Sequence, residues 1–336
     1  MTSMERLVAR MAGKSVDRIP NLNILMTFAA KYANVNYSDF ILKPEAKCRA
    51  NLICAEEFGI DAVTVMSDPY SEAEGFGCKI EYPVNDHPHC VKHILEDYED
   101  IKKLKVHDPS CTCRMSIIVR LVEMYRQHLG NDVPIIGWVE GPIAEFADLY
   151  DINYAMMDLI SEPEWATDVM DICVEQAILF AKAQISAGAQ IIGMGDAAAS
   201  LVGPPLYRGM ILEREKKIVD AIHEAGAMVK LHICGNIGPL LNDIKTLGCD
   251  IVDVDWMVDF AEANKILSGV SAVSGNLDPV RAVMNSTPEA LYADIKALLA
   301  ATDGTSIISG GCEIPKNTDP RLLKVMRQAL VEGSVR

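Results

Sequence analysis

The stretch Pro205–Ile233, PLYRGMILEREKKIVDAIHEAGAMVKLHI, contains one complete helix-to-strand unit. In its first part, apolar residues recur at helical spacing and charged residues, Glu215 among them, occupy the opposite face. This pattern predicts an amphipathic helix over Pro205–Ala225. Gly226 is typical of a helix C-terminus, and the apolar run after it predicts a strand over Met228–Ile233. The stretch therefore predicts a helix that packs against a buried strand.

The same alternation continues along the 336-residue chain. Eight strands are predicted, at Ile19–Leu25, Asp61–Met66, Pro134–Trp138, Gln190–Met194, Met228–Ile233, Ile251–Val254, Val270–Ser274 and Thr305–Ser309. The other predicted helices are Pro44–Phe58, Ser116–His128, Pro163–Ala187 and Thr287–Ala301. Alternating strands and helices predict an α/β fold with a parallel sheet, and eight units predict a (β/α)8 TIM barrel. A doubly wound open sheet is the alternative, because periodicity does not show whether the sheet closes.

One region interrupts this alternation. Residues 71–110, after the second predicted strand, are polar, rich in turn residues and rich in histidine, with a possible hairpin of Cys78–Tyr82 and Cys90–Ile94. We expect this insertion to lie above the mouth of the barrel as a lid. Because no linker rich in Pro, Gly or Ser divides the chain, we predict a single domain over residues 1–336.

Charge and composition exclude several classes of protein. Lys and Arg total 31 and Asp and Glu total 47, so the net charge is −16. Such a chain repels nucleic acid and anionic lipid. The chain shows neither a signal peptide nor a membrane-length apolar run, so we predict a cytoplasmic protein with no membrane partner. In that compartment the ten cysteines are expected to be thiols or metal ligands.

A metal-binding pattern follows two of the predicted strands. His232 and Cys234 are two residues apart at the end of one strand, so they point to the same face. Cys312 follows the last predicted strand on a glycine-rich turn, at the same end of a barrel. One imidazole and two thiolates form a three-ligand zinc set with an open fourth position, which is the catalytic pattern. The alternative is that all three are ordinary core residues.

A second cluster competes with this one. His87, His89 and Cys90 lie together in the polar insertion, and we interpret them as part of a solvated loop.

Polar residues also follow several other predicted strands. Asp68, Glu140, Asp196 and Asp255 each lie at a strand end, and Asn276 lies in the loop after the seventh strand. In a barrel these ends converge on one pocket. We therefore expect them around the substrate, with Glu140 or Asp196 as a possible fourth zinc ligand.

Four short motifs together resemble the uroporphyrinogen decarboxylase superfamily. They are Gly275-Asn276-Leu277-Asp278-Pro279, Ser67-Asp68, Asp255-Trp256 and Gly141-Pro142. The resemblance covers nearly the whole chain and implies a (β/α)8 barrel. It also implies one of two activities: the decarboxylase itself, or zinc-dependent corrinoid methyltransferases such as the coenzyme M methyltransferases.

Two features distinguish these branches. The decarboxylases carry an arginine-rich motif after the first strand, whereas Leu22–Tyr32 has no arginine here. They also carry a glycine-flanked histidine where this chain has Cys312. A methyltransferase is marked by His-x-Cys, a long gap and Cys, which His232, Cys234 and Cys312 match. The resemblance therefore implies zinc held by these three residues, a thiol substrate, and a methylated corrinoid carried by a partner protein.

Three alternatives stay open. The methyl group could move in the opposite direction, from a methoxylated, methylamine or methylthiol donor to cobalt(I). Uroporphyrinogen decarboxylase remains the second alternative, although a porphyrinogen with eight carboxylates would meet few cations here. A protein from another class, a non-catalytic corrinoid-binding or thiol-sensing barrel, would bind zinc without transferring a methyl group. The sequence does not indicate the substrate, the direction or the oligomeric state.

Overall fold

Seven parallel strands form one curled sheet at the centre of the molecule. The computed structural model describes residues 1–111, 113–302 and 304–333. The described strands are β1 (Val63–Thr64), β2 (Lys79–Glu81), β3 (His89–Lys92), β4 (Ile135–Glu140), β5 (Ile191–Gly195), β6 (Met228–Ile233), β7 (Ile251–Val254), β8 (Ala272–Leu277) and β9 (Ile307–Gly310). The sheet order is β1-β4-β5-β6-β7-β8-β9, with every neighbouring pair parallel. Because this order never reverses, it is that of a barrel rather than of a doubly wound sheet.

Helices connect successive strands and cover the outside of the sheet. The described α-helices are α1 (Ser3–Met11), α2 (Met26–Tyr32), α3 (Tyr37–Leu42), α4 (Pro44–Phe58), α5 (Ser71–Phe76), α6 (Cys113–Leu129), α7 (Pro142–Tyr150), α8 (Ile152–Ser161), α9 (Pro163–Ala187), α10 (Pro204–Leu206), α11 (Leu212–Glu224), α12 (Leu241–Ile244), α13 (Phe260–Leu267), α14 (Pro288–Ala301) and α15 (Pro320–Gly333). The prediction of one helix over Pro205–Ala225 is wrong in one respect. A π-helical turn over Tyr207–Ile211 separates α10 from α11, and the buried Tyr207 hydroxyl donates a hydrogen bond to Glu215 from it.

The first predicted strand, Ile19–Leu25, is not a strand. Pro20 has no N–H to donate, and the N–H of Asn21 bonds to the Asp61 side chain at 2.8 Å. The Asn23 side chain likewise accepts from Gly310 N at 2.8 Å. Side chains thus replace part of the regular ladder between the two edges of the sheet, although Asp61 N still donates to the Asn21 carbonyl at 2.8 Å. The extended segment lies in the eighth position. The architecture is TIM-barrel-like with seven regular strands.

The bottom of the barrel interior is apolar. One side chain from each strand position except that of β8 contributes to a compact ring: Leu22, Ala62, Ile136, Ile191, Met228, Ile251 and Ile307. Leu7 and Met11 of α1 pack against this ring from below. The N-terminal helix therefore closes the end of the barrel at which the strands begin.

The insertion has structure of its own. Residues 71–110 contain α5, a 3-10 helix over Tyr98–Lys103, and β2 paired antiparallel with β3. The predicted hairpin is therefore confirmed. Its tip reaches the loop after β9, where Lys316 Nζ donates to the Asn85 carbonyl at 3.2 Å. That the segment acts as a lid stays a prediction.

Candidate metal and methyl-transfer site

The strand β6 places a histidine at the upper end of the barrel interior. His232 is buried and pairs in register with Gly195 of β5 and Asp253 of β7. Its Nδ1 lies 3.0 Å from Asp253 Oδ2, and its Nε2 lies 3.2 Å from Cys234 Sγ. Since Asp253 engages one ring nitrogen, the other is directed at the thiol.

Cys312 joins this pair from the other side of the barrel. The ligand atoms of His232, Cys234 and Cys312 all lie within 4.8 Å of one another. The loop can come this close because Gly311 has no side chain. A Cβ on Gly311 would lie 2.7 Å from the backbone nitrogen of Trp256, which is too short for a real contact. The structure therefore brings together the three residues that were singled out as zinc ligands.

The pKa values of the three side chains depend on one another. A hydrogen bond from Cys234 and the neighbouring His232 lower the pKa of Cys312 to about 4, although burial opposes this. The same hydrogen bond, burial and the nearby charges of Asp255 and Glu140 raise the pKa of Cys234. Burial disfavours protonation of His232, but Asp253 and Cys312 outweigh it and raise its pKa to about 9. These shifts favour a thiolate on Cys312 beside a protonated His232.

The donor set fits zinc. Tetrahedral zinc with zinc–sulfur bonds of about 2.3 Å and zinc–nitrogen bonds of about 2.0 Å separates its ligand atoms by less than about 4 Å. The observed spread of up to 4.8 Å needs only a small contraction to reach that value. Two thiolates and one imidazole are also the ligand types that zinc prefers over harder cations.

The strand β7 supports the group with two carboxylates that point the same way. Asp253 contacts His232, as described above. Asp255, two residues later, accepts hydrogen bonds at 2.7 Å from Gly235 N and from Trp256 N. The first of these amides directly follows Cys234, and the second packs against Gly311. Asp255 therefore fixes both thiol-bearing loops. Asn276 in turn donates to the carbonyls of Asp255 and Val258, at 3.3 and 2.7 Å.

The remaining predicted rim residues have other partners. Asp68 is buried in an ion pair with Arg114 at 2.8 Å. Glu140 accepts from Trp138 Nε1 at 2.8 Å, and burial together with neighbouring acids raises its pKa well above the usual range. Trp138 itself lies beside the site, with its ring 6.4 Å from that of His232. Neither Glu140 nor Asp196 belongs to the group of three ligands.

Asp196 faces another acid. Its Oδ1 accepts from Ala144 N at 2.7 Å, and burial raises its pKa to about 7. Its partner is Glu215, whose pKa is raised by burial and by the charge of Asp196. The prediction that Glu215 lies on an exposed helix face is wrong, since the side chain is fully buried. A proton shared between the two carboxyls would explain how both can be buried together.

The competing cluster in the insertion lies apart. His87 and His89 are both more than half exposed, and His89 approaches Glu81 at 3.6 Å. Among the described residues, no ligand group forms there, which agrees with a solvated loop. His87 nevertheless lies 4.0 Å from Glu313, the residue after Cys312.

Among the residues that the structure describes, no helix combines the length and apolar character needed to cross a membrane.

Comparison with known proteins shows which family this chain belongs to. The model of the uroporphyrinogen decarboxylase (URO-D) family matches residues 2–332. Methylcobamide:CoM methyltransferase MtbA of Methanosarcina mazei is 31% identical over 334 residues, covering 97% of this chain and 96% of that protein. Uroporphyrinogen decarboxylase of Geotalea uraniireducens is 25% identical over 309 residues, covering 87% of each chain. The solved structure of a methyltransferase from Methanosarcina mazei superposes with a TM-score of 0.90 at 23% identity, covering 99% of each chain, so the two share a fold.

Proposed function

Since this chain belongs to the uroporphyrinogen decarboxylase family, we propose that it is a methyltransferase that moves a methyl group between a methylated corrinoid and a thiol such as coenzyme M. The observation that carries this proposal is the group of His232, Cys234 and Cys312 at the upper end of the barrel. Decarboxylation of a polycarboxylate requires cations instead. The segment Leu22–Tyr32, where the decarboxylases carry arginines, offers only Lys31 here.

Zinc is the cofactor that these residues would hold. Bound there, zinc would lower the pKa of an incoming thiol, so that the thiol loses its proton to solvent at neutral pH and its sulfur is held in place. His232, Cys234 and Cys312 would occupy three positions and leave the fourth for the substrate sulfur. The two protein thiolates cancel the charge of the ion, so the substrate sulfur keeps much of its nucleophilicity.

In the direction that we propose, the thiolate sulfur attacks the methyl carbon. A carbon–sulfur bond forms while the carbon–cobalt bond breaks, and the electron pair of that bond stays on the corrinoid as cobalt(I). The protein residues hold the sulfur and exclude water from it. Trp138 and the carboxylate of Asp255 limit the space around the ligand group, because both lie against it and are buried.

The corrinoid is large and has to approach from the open end of the barrel. We infer that a separate corrinoid protein presents it there and that residues 71–110 form part of the surface that it contacts. Support comes from the hairpin tip, which reaches the loop of Cys312 through His87 and Asn85. In this interpretation the insertion acts as the lid of the site.

The first test is the zinc content of protein purified without oxygen. We expect about one zinc per chain in the wild type and a much lower value in Cys312→Ser. Cys111→Ser is the matched control, because this exposed thiol lies outside the ligand group and should keep the metal. Full zinc retention in Cys312→Ser, or no zinc in the wild type, would overturn the mechanism.

The second test determines the direction. Methylcobalamin with 2-mercaptoethanesulfonate should yield the methyl thioether and cobalt(I), which is followed by its visible spectrum. The opposite reaction is assayed with cobalt(I) and methoxylated, methylamine or methylthiol donors. Turnover only in the second assay would show that the protein demethylates a donor. Zinc binding without turnover in either assay would indicate a non-catalytic protein.

A further inference from the structure

A buried pair of opposite charges lies directly beneath the ligand group. Lys230 precedes His232 by two residues on β6, so both side chains point to the barrel interior. Asp253 on β7 lies between them, with its Oδ2 at 2.6 Å from Lys230 Nζ and 3.0 Å from His232 Nδ1. Lys230 is 1% exposed and Asp253 is 2% exposed. Burying a charged pair this deeply costs desolvation free energy, and a well-packed apolar pair would often be at least as stable.

Asp253 determines how the imidazole is presented. Its carboxylate engages Nδ1, which leaves Nε2 facing Cys234 at 3.2 Å. A carboxylate behind a metal-binding histidine fixes the ring orientation and makes the histidine a better ligand. The orientation of His232 therefore depends on a residue of the neighbouring strand.

Among the described residues, Lys230 pairs only with this carboxylate. Its ammonium forms the ion pair with Asp253 but has no hydrogen-bond partner among the described residues. Its positive charge therefore offsets the negative charge that Asp253 places beside the ligand group. The positive charge of Lys230 does not favour metal binding, because it repels the metal cation. The same charge does favour the binding of an anionic ligand to the metal.

A count of charges shows when this matters. Zinc and the thiolates of Cys234 and Cys312 sum to zero, and a substrate thiolate makes the total −1. Asp253 alone would make it −2 in a buried site, whereas Lys230 restores −1. We propose that Lys230 and Asp253 form a positioning pair, in which Asp253 orients His232 for the metal and Lys230 balances the carboxylate so that an anionic thiolate can bind. This inference rests on the proposed function.

The experiment uses Co²⁺ as a spectroscopic substitute for zinc. The thiolate-to-cobalt absorption reports metal binding, and its change on addition of 2-mercaptoethanesulfonate reports thiol binding. Both dissociation constants are measured for the wild type, Asp253→Asn and Lys230→Met. Lys47→Met is the matched control. This lysine is equally buried, but it bonds to Val65 O and Ser67 Oγ, at 3.0 and 2.7 Å, away from the ligands.

The two variants should differ in which constant they change. Asp253→Asn should weaken Co²⁺ binding about 10- to 100-fold and shift the cobalt spectrum. Lys230→Met should leave Co²⁺ binding unchanged or tighter, while thiol binding weakens about tenfold or more. Lys47→Met should change neither constant. A role of Lys230 in packing alone would weaken metal and thiol binding together.

Several outcomes would overturn the inference. It fails if Lys230→Met and Lys47→Met change thiol binding equally, or if Asp253→Asn leaves Co²⁺ binding unchanged. Lys230→Gln repeats the test with a polar neutral side chain if the methionine variant does not fold. A wild type that binds no Co²⁺, or binds it without binding thiol, would overturn the proposed function as well. If the wild type binds both Co²⁺ and the thiol but the variants behave otherwise than expected, the proposed function stands and only the role of Lys230 and Asp253 is refuted.

Discussion

The two ends of the barrel interior differ in chemistry although the same strands build both. At the lower end, Met228 and Ile251 belong to the apolar ring closed by α1. Two residues further along these strands, the inward positions are occupied by Lys230 and Asp253, and the next one on β6 by His232. Inward-facing residues at the bottom therefore form an apolar core, while those at the top include the candidate ligand His232 and the charges beneath it. In barrels of this kind, residues that stabilise the fold lie near the start of each strand, and functional residues lie near its end.

The largest effect is expected from a ligand at the upper end. Cys234→Ser replaces a thiolate with a hydroxyl that binds zinc poorly, so methyl transfer should fall by more than about a hundredfold. The free energy of unfolding of the metal-free protein should change by less than about 1 kcal/mol, because the half-buried side chain keeps its size. Methyl transfer and urea denaturation measure the two quantities. Full activity in this variant would remove Cys234 from the site.

The opposite result is expected at the lower end. Ile191→Ala deletes a fully buried side chain of the apolar ring, which should lower the free energy of unfolding by about 2–5 kcal/mol. Zinc content per folded chain should stay at the wild-type value, as measured by metal analysis after size-exclusion chromatography. Loss of zinc from the folded variant would show that the two ends are not independent.

A pH effect should arise from buried carboxyls near the upper end. Burial raises the pKa of Asp196 and of Glu72 to about 7. The folded protein therefore keeps protons that the unfolded chain loses above about pH 4. Stability is fully present below that pH and falls as the pH rises towards 7, by about 2–3 kcal/mol per carboxyl between pH 5 and 7. Denaturation at several pH values should show a shallower slope for Asp196→Asn, and an unchanged slope would refute the shared proton.

The smallest effect is expected where the Trp138 ring packs beside the ligand group. A Cβ on Gly193 would lie 2.3 Å from the Trp138 ring, so Gly193→Ala should cost about 1–3 kcal/mol by forcing that ring to move. Gly209→Ala is the control, because no atom lies within 4 Å of its added methyl group. Thermal denaturation compares the two variants. Equal melting temperatures would show that the indole has room to shift.

Alternation along the strands made much of this architecture predictable. The strands Met228–Ile233 and Ile251–Val254 are confirmed to the residue, because apolar runs bounded by glycine and charge have few other interpretations. The segment Ile19–Leu25 shows where the pattern fails. It is apolar and extended like a strand, but the side chains of Asp61 and Asn23 replace part of its ladder hydrogen bonds, and these long-range contacts leave no local signal.

That His232, Cys234 and Cys312 lie together was predictable from the sequence, but the residues that support them were not. His232 and Cys234 are a recognisable pair, and Cys312 follows a strand that ends at the same face. Asp253 and Lys230 were missed, since each lies inside an apolar run that was interpreted as core. A signal was present, because Lys230 alternates in phase with His232 and Asp253 in phase with Asp255. A charged residue at one of the alternate strand positions that face the barrel interior is therefore a candidate for contacting and orienting the site residues.

The apolar ring at the lower end also affects how the chain is made. It joins Leu7 of the first helix to Ile307 of the last strand, so it stays incomplete until about 300 residues have been synthesised. Until then the buried charges above it remain open to water, and the apolar edges remain open to other chains. Contacts this distant in sequence form late and slowly. Newly made chains should therefore be most prone to aggregate, and most in need of a chaperone, just before the last strand arrives.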